Sequence, residues 1–222
     1  MRGTGSRTHG RDFSLGGLRE PTPDYQRGTM IRCANGQRTT YDLASLGLRR
    51  TFQHNSFFGE LTVLQNTIAA ISREFPVSLA ASIFLPWRES VSRRQATQAA
   101  SQSLEFFSIA SQYHDKLPGD IPYGVQRLLS LALAYGTGAK ALLLDEPAAG
   151  LGGGDMKQLA QILVELRKRK VALVIIEHHM DLIMSIADRI VMIDQGVMLA
   201  TGTPAEIQSD PTVREAYLGR DE

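Results

Sequence analysis

Apolar residues in the second half of the chain follow two patterns. Continuous apolar runs cover residues 141 to 144, 171 to 176 and 190 to 193. Runs that are this short and apolar on both faces are typical of strands buried in a parallel sheet. Between the first two runs, apolar residues recur at helical spacing, at Met156, Leu159, Ile162, Leu163 and Leu166. This order of strand, amphipathic helix and strand predicts an α/β fold, with a mostly parallel sheet flanked by helices.

The carboxyl-terminal part has clear local signals. Asp194-Gln195-Gly196 predicts a turn from the third run into a strand at residues 197 to 200. Thr203-Pro204-Ala205-Glu206 combines a capping box with proline at the first helical position. Asp210-Pro211 starts another helix through the same chemistry. We therefore expect a hairpin followed by two short helices.

Charged and polar residues follow the apolar runs at their carboxyl ends. Asp145 and Glu146 come directly after the first run, and His178 follows the second. In open α/β sheets this edge binds ligands, so we expect the two strand ends to lie side by side. Asp145 could then reach a metal ion, and His178 could bond a phosphate oxygen or orient an attacking water. Taken alone, an Asp-Glu pair before proline is more often a surface turn, and a single histidine is more often structural.

A further strand-like segment ends at Gln53 and is followed by a loop. In this order, the segments resemble the ATPase subunits of ABC transporters over residues 13 to 219. The matching motifs are Thr51-Phe52-Gln53 with the Q-loop, Ile121-Pro122-Tyr123-Gly124-Val125 with the signature motif, residues 142 to 146 with the Walker B strand, Ala149-Gly150-Leu151-Gly152 with the D-loop, and His178 with the switch histidine. The resemblance implies a P-loop NTPase-like fold with a helical subdomain, and ATP hydrolysis as the activity.

Finer details are similar to the ATPase subunits of branched-chain amino-acid importers. These details are the Thr51-Phe52-Gln53 start, the Tyr-Gly form of the signature, residues 146 to 151, Glu177-His178-His179-Met180-Asp181 and the closing Glu215-Ala216-Tyr217-Leu218-Gly219. The resemblance implies that the chain energises the import of branched-chain amino acids.

The resemblance also implies a role for each site residue. Asp145 would hold Mg²⁺ through water, Glu146 would polarise the attacking water, and His178 would contact the γ-phosphate of ATP. Gln53 would sense the same metal, partly through water, and touch the membrane partner. A carboxylate beside a metal-bound triphosphate can act as a general base only while it is ionised and close.

The signature segment implies partners. ABC ATPases work as head-to-tail dimers, so Tyr123, Gly124 and Gln126 would contact ATP held by a second ABC ATPase subunit, identical or different. Pro122 stands at the serine position and Val125 at the usual glutamine, so a hydroxyl and a backbone donor are lost. The following helix could still favour phosphate through its dipole. Transmembrane permease subunits complete the implied assembly, which places the chain in the cytoplasm, peripheral on the inner face of the cell membrane.

One motif of the family is missing. No G-x-x-x-x-G-K-[ST] occurs in the chain, although such a loop wraps the β-phosphate and supplies a lysine and a magnesium-binding hydroxyl. When residues 13 to 18 are laid on the helix after this loop, His9 stands at the lysine position and Gly10 at the hydroxyl position. Either the protein has lost its nucleotide site or its amino terminus was cut off. We favour truncation, because the site residues keep types that are useful only around a bound triphosphate.

Truncation has a structural consequence. By resemblance, the missing P-loop strand would lie between the strands at residues 171 to 176 and 190 to 193. Without it both strands lose ladder partners, and each unpaired buried backbone group costs about 1 to 3 kcal/mol. We expect the chain either to be poorly stable or to close the gap by direct pairing. An intact central strand in that position would contradict this expectation.

Composition limits the other functions. With 222 residues, 43% of them hydrophobic, and no apolar run near the roughly 18 to 20 residues of a membrane span, the sequence is typical of one globular unit. The net charge of +1 gives no argument for nucleic-acid binding. The single cysteine, Cys33, excludes an internal disulfide and suits a reducing cytoplasm.

Within one ABC ATPase domain we expect three parts. Residues 1–66 form the residual amino-terminal α/β portion, with Asn35-Gly36 as a tight turn. Residues 67–135 form the helical subdomain with the signature, and residues 136–222 return to the core with the Walker B strand, D-loop and switch histidine. Four aromatic residues form either a surface for a transporter's coupling helix or ordinary subdomain core, namely Phe57, Phe58, Phe84 and Trp87.

Two other functions stay open. The chain could be a catalytically degenerate or truncated subunit that acts only as a structural, signature-donating partner, although Pro122 and Val125 count against this. It could also be a soluble ABC protein of translation or repair. Such proteins usually carry two ATPase cassettes or long insertions, and this chain has neither.

Overall fold

A computed structural model describes residues 31–33, 36–38, 43–44, 46–51, 57–72, 86–136 and 139–218. The chain forms two compact units, residues 1–46 and residues 47–222. Gln53 lies outside the described residues, and so does Phe84. The three-part division at residues 66 and 135 stays a prediction.

The first unit contains a short antiparallel hairpin. Strand β1 covers Ile31–Cys33 and strand β2 covers Gly36–Arg38. Cys33 lies opposite Gly36 in the pairing. The two strand-like segments expected around Asn35-Gly36 are therefore confirmed, while Asn35 itself lies outside the described residues.

The second unit contains a three-stranded parallel sheet. Strands β3 (Leu48–Arg50), β4 (Ala141–Asp145) and β5 (Ala172–Ile176) pair in that order, so β4 lies in the middle. The ladder continues past β3, because the Thr51 N–H donates to the Leu143 carbonyl at 2.9 Å. The carboxyl ends of all three strands therefore meet at one edge, as the sequence predicts.

A separate antiparallel hairpin follows, formed by β6 (Ile190–Asp194) and β7 (Val197–Gly202). Gln195 and Gly196 connect the two strands with φ angles of +48° and +82°. Two consecutive positive φ angles are the requirement of a type I′ turn, whose twist matches the flanking strands. The predicted hairpin is confirmed.

The described part of the second unit also contains helices. Their bounds are Val63–Ile71 for α1, Pro86–Phe106 for α2, Tyr123–Tyr135 for α3, Gly153–Lys168 for α4, Met180–Ile186 for α5, Pro204–Ser209 for α6 and Pro211–Leu218 for α7. Two single-turn 3₁₀ helices, Ser111–Tyr113 and Pro118–Asp120, lie between α2 and α3. Among the described helices, none combines the length and the apolar character that a membrane crossing requires.

The main core lies between the sheet and the helices. Leu142 and Leu144 of β4 are fully buried, and the apolar face of α4 belongs to the same cluster. On α4 the buried residues are Leu159, Ile162, Leu163 and Leu166. This confirms the predicted amphipathic helix, and each such side chain contributes about 1.5 to 3 kcal/mol through burial.

Side-chain caps determine where the two carboxyl-terminal helices begin. The Thr203 hydroxyl accepts from the Glu206 N–H at 3.3 Å, and the Glu206 carboxylate accepts from the Thr203 N–H at 2.7 Å. The Asp210 carboxylate accepts from the Thr212 N–H at 2.8 Å. Both predicted helix starts are therefore confirmed.

The expected burial of β5 and β6 on both faces is wrong. Val174 and Ile176 on β5 are 57% and 63% exposed, and Val191 and Ile193 on β6 are 56% and 68% exposed. The two strands also belong to different sheets, so they do not close a gap by direct pairing. Within the described residues, β5 pairs only with β4 and β6 only with β7. Apolar character sufficed to predict these strands but not their environment.

The loop before α1 is fixed by one buried amide. The Asn66 side chain accepts from the Phe58 N–H at 2.9 Å and donates to the carbonyls of Phe58 and Leu61 at 3.1 and 2.9 Å. Phe57 packs against the main core, whereas Phe58 is 66% exposed. Of the four aromatic residues considered above, one is thus partly core and one is surface, and the side chains of Phe84 and Trp87 are outside the described part of the chain.

Candidate functional site

The ends of β4 and β5 bring the predicted acids and histidine together. Asp145 is the last residue of β4 and lies opposite Ile176, the last residue of β5. The Glu146 N–H donates to the Ile176 carbonyl at 2.9 Å, which extends the pairing by one bond. Glu146 and His178 therefore leave neighbouring strands at the same edge. Their Oε1 and Nδ1 atoms are 3.9 Å apart.

Glu146 has a strained backbone. Its φ angle is +45°, a left-handed conformation that residues with a side chain seldom adopt. Such a conformation costs on the order of 1 to 3 kcal/mol and persists where the surrounding structure enforces it. Its carboxylate is 35% exposed and the His178 side chain is 64% exposed. Both groups can therefore meet a ligand from solvent.

Asp145 is tied to the neighbouring strand β3. Its Oδ2 atom lies 3.3 Å from a guanidinium nitrogen of Arg50, the last residue of β3. Its backbone N–H donates to the Thr51 hydroxyl at 3.4 Å. The Arg50 contact was not predictable from the sequence, because the two residues are 95 positions apart.

Glu177 is the buried acid of the site. Its side chain has no exposed surface. One oxygen accepts from the Ala148 N–H at 2.7 Å, and the other accepts from His179 Nδ1 at 2.9 Å and from the N–H groups of His178 and His179 at 3.1 and 3.4 Å. Burial alone would raise the pKa of Glu177, but these hydrogen bonds, led by the His179 side chain, hold the pKa below its usual value. Sequence reasoning missed this role. In the sequence, the only indication of this role is that the Glu177 carboxylate comes directly after an apolar strand.

The signature segment lies at the start of α3 and packs against the turn after β4. The Tyr123 hydroxyl donates to the Ala149 carbonyl at 3.3 Å. Gly150 has a φ angle of +75°, and a Cβ atom there would lie 2.9 Å from the Tyr123 ring. A Cβ atom on Gly124 would clash with the Asp155 carboxylate. Glycine at these two positions permits the close approach of the segments.

Two further features of the signature segment bear on binding. Pro122 occupies the N-cap position of α3 and gives no side-chain cap bond. The Gln126 side chain donates to the Ile121 carbonyl at 3.0 Å, so it is used to hold its own loop. The structure places Tyr123, Gly124 and Gln126 in one helical turn. Their contact with a nucleotide stays a prediction.

A small pocket connects the strand ends with the helices. It is lined by Thr51, Arg127, Ser130, Leu131, Asp145, Pro147 and Leu159. Within this lining, the Asp145 carboxylate and the Thr51 hydroxyl are hard oxygen donors, which suit Mg²⁺. The chemistry of this donor set therefore fits the expected metal.

The sequence is similar to those of known proteins. Residues 17–149 match the family described as ABC transporter, and residues 197–222 match the family described as Branched-chain amino acid ATP-binding cassette transporter. BraF of Pseudomonas aeruginosa, a high-affinity branched-chain amino acid transport ATP-binding protein, is 37% identical over 180 residues, which are 81% of this chain and 70% of BraF. The chain belongs to the ABC transporter family of ATP-binding proteins.

Other ABC proteins are also similar to this chain. LivG of Escherichia coli K12, with the same description as BraF, is 35% identical over 178 residues, which are 80% of this chain and 69% of LivG. The ADP conformation of an ABC transporter's ATP-binding cassette has a TM-score of 0.63 at 26% identity, over 83% of this chain and 73% of that chain. A nucleotide-free ABC cassette has a TM-score of 0.64 at 26% identity, over 81% and 72%. The predicted P-loop NTPase-like α/β fold is confirmed.

Proposed function

We propose that this chain is the ATP-hydrolysing subunit of an ABC importer for branched-chain amino acids. Its relatives BraF and LivG are described as branched-chain amino acid transport ATP-binding proteins. The observation that carries the proposal is the meeting of Asp145, Glu146 and His178 at the ends of two paired parallel strands. This arrangement gives the chain one carboxylate for a metal, one for water and an imidazole for phosphate.

Each of these residues has a distinct proposed role. Asp145 holds Mg²⁺ through water, and Mg²⁺ neutralises part of the phosphate charge when bound. Glu146 takes the proton of the attacking water, which its partial exposure allows. His178 bonds the terminal phosphate from the neighbouring strand. Gln53, five residues before Phe58, senses the metal and contacts the membrane partner.

We also propose the partners of the chain. The turn of α3 that carries Tyr123, Gly124 and Gln126 contacts ATP held by a second ABC ATPase subunit. Transmembrane permease subunits contact the exposed Phe58, which the Asn66 side chain holds in place. In this assembly the chain lies in the cytoplasm, on the inner face of the cell membrane.

Replacing Glu146 by Gln tests the hydrolysis. We expect the rate of ATP hydrolysis to fall at least about 100-fold, because the amide cannot take the proton from water. The control is Glu165→Gln on α4, where an exposed carboxylate pairs with Lys168 at 2.6 Å. The measurement is steady-state phosphate release by the full chain with MgATP.

Two outcomes decide against the proposal. Equal and measurable phosphate release by the wild-type, Glu146→Gln and Glu165→Gln proteins would reject the assigned site. A second protein, with a family glycine-lysine loop replacing residues 4 to 12, separates the alternatives. Glu146-dependent hydrolysis by that protein alone would indicate that the present chain acts only as a signature-donating partner.

Transport is tested in cells. Deleting the gene should reduce uptake of labelled leucine, isoleucine and valine, and leave uptake of labelled glutamate unchanged. Wild-type protein should restore uptake, and the Glu146→Gln protein should not. Unchanged leucine uptake in the deletion strain would reject the import role and leave the hydrolysis test standing.

A further inference from the structure

Glu177 divides its two carboxylate oxygens between two turns. One oxygen accepts the Ala148 N–H at 2.7 Å, in the turn after β4. The other accepts three N–H donors from His178 and His179, in the turn after β5. The side chain has no exposed surface, so water does not compete for these bonds. One buried carboxylate thus connects two turns that are 29 residues apart in sequence.

These turns carry Glu146 and His178. Ala148 follows Glu146 by two residues, and the Ala149 N–H donates to the Glu146 carbonyl at 3.1 Å. His178 follows Glu177 directly, and its own N–H is one of the four donors. Any change at the Glu177 carboxylate therefore shifts a turn that carries one of the two groups.

The backbone of Glu146 needs such a restraint. Its φ angle of +45° is unfavourable, and only neighbouring contacts maintain it. The bond from the Glu146 N–H to the Ile176 carbonyl fixes the start of the turn. The bond from Ala148 to Glu177 fixes its far side.

A metal-ligand role for Glu177 is the alternative. Glu177, His178 and His179 each offer one ligand atom, and these atoms lie within 4.8 Å of one another. The second oxygen already accepts three N–H donors, however, so a metal there would have to displace His179 Nδ1 from a 2.9 Å hydrogen bond. The hydrogen-bond pattern therefore favours anchoring over metal binding.

We propose that Glu177 is a positioning residue, which clamps the turn after β4 to the turn after β5 and so sets the separation of Glu146 and His178. Its catalytic consequence rests on the proposed function. The clamp itself rests on the four hydrogen bonds alone.

Shortening the Glu177 side chain distinguishes its bond to Ala148 from its bonds to His178 and His179. In Glu177→Asp the carboxylate is one methylene shorter, so it can still bond the adjacent His178 and His179 N–H groups but cannot reach Ala148. We expect amide hydrogen exchange at Ala148 to rise at least about 10-fold, and exchange at His178 and His179 to stay within about threefold of wild type. In Glu177→Ala, exchange should rise at all three amides. Exchange of the full chain is followed by NMR, with Glu165→Gln as the control.

Kinetics then test positioning. In Glu177→Asp, kcat for ATP should fall at least about 10-fold while KM stays within about threefold, because His178 and Glu146 are misplaced but nucleotide contacts elsewhere remain. A thermal melt confirms that the variant is folded. Unchanged Ala148 exchange would overturn the clamp, and faster exchange with unchanged kcat would overturn the positioning role.

If the wild-type chain does not hydrolyse ATP, the proposed function is rejected, but the Glu177 clamp can still be tested. In that case the clamp is decided by Ala148 exchange together with the imidazole ¹⁵N shifts of His178. These shifts should change in Glu177→Asp and stay unchanged in Glu165→Gln. Unchanged shifts in both variants would overturn the positioning of His178.

Discussion

At Glu177, burial and hydrogen bonding act on one carboxyl group in opposite directions. Burial raises the pKa, whereas bonds from the His179 side chain and from the N–H groups of Ala148, His179 and His178 lower it, and the net pKa is below 4.5. A lowered pKa means that folding favours the ionised group. The buried charge of Glu177 therefore stabilises the folded chain at neutral pH.

This lowered pKa predicts a pH-dependent stability. The contribution of Glu177 is fully present above the pKa of the unfolded chain, near 4.5, and is lost as the pH falls through the lower pKa of the folded chain. The Tm of wild type should therefore exceed that of Glu177→Gln at about pH 7, and the two values should converge as the pH falls below the lowered pKa of Glu177. Thermal melts across this range check it. A Tm difference that does not vary with pH would contradict it.

Residue-level sequence reasoning found the acids but not their surroundings. Asp145, Glu146 and His178 were predictable because each follows an apolar run, and strand ends in parallel sheets meet. The ion pair between Arg50 and Asp145 depends on the strand order. The four bonds of Glu177 depend on the φ and ψ angles of two turns, which no local pattern specifies.

At the scale of elements, the start of α3 and the turn after β4 fit together through Gly150. Its φ angle of +75° favours glycine, and the Tyr123 ring fills the space beside it. The Tyr123 hydroxyl bonds the preceding residue, Ala149. The signature segment and the turn after Glu146 are therefore one packed structure.

Replacing Gly150 by Ala should disturb that contact. We expect a loss of about 1 to 2 kcal/mol in the free energy of unfolding from the left-handed backbone, and a further loss as the Tyr123 ring moves. Gly154→Ala is the matched control, since a Cβ there meets nothing within 4 Å and the residue lies in the first turn of α4. The control should be neutral or slightly stabilising. Urea unfolding of both variants measures the difference, and equal values would refute the packing argument.

The helices and the tail were predictable where local chemistry determines them. The Thr203 capping box, the turn before β7 and the apolar face of α4 each depend on residues within one or two helical turns. The environment of β5 and β6 was not predictable in this way. A strand can be apolar on both faces, but its burial requires a second element to pack on it.

At the scale of the whole molecule, large apolar side chains stand exposed on three strands. Besides the four on β5 and β6, Val197 and Met198 on β7 are 69% and 63% exposed. Exposed apolar surface of this kind promotes association, and strands with an open edge add backbone groups that can pair. We expect the isolated chain to associate as its concentration rises.

Replacing Val174 and Ile193 by Thr should reduce this association. Threonine keeps the β-branched shape that suits strands, so the Tm should change little. Val91→Thr on α2 is the control, because Val91 is also 51% exposed but lies on a helix. Sedimentation velocity over a concentration series measures the effect. Unchanged association in the double variant would show that these strands are not the contact surface.

The contact between Arg50 and Asp145 has one more consequence. The carboxylate proposed for Mg²⁺ already has a resident counterion, whose nitrogen lies 3.3 Å away. Binding of Mg²⁺ at Asp145 would then replace the Arg50 guanidinium, rather than add a cation to a carboxylate that has none. Its net electrostatic gain is the difference between two cations competing for the same oxygen, so the protein itself moderates how tightly the divalent ion is held.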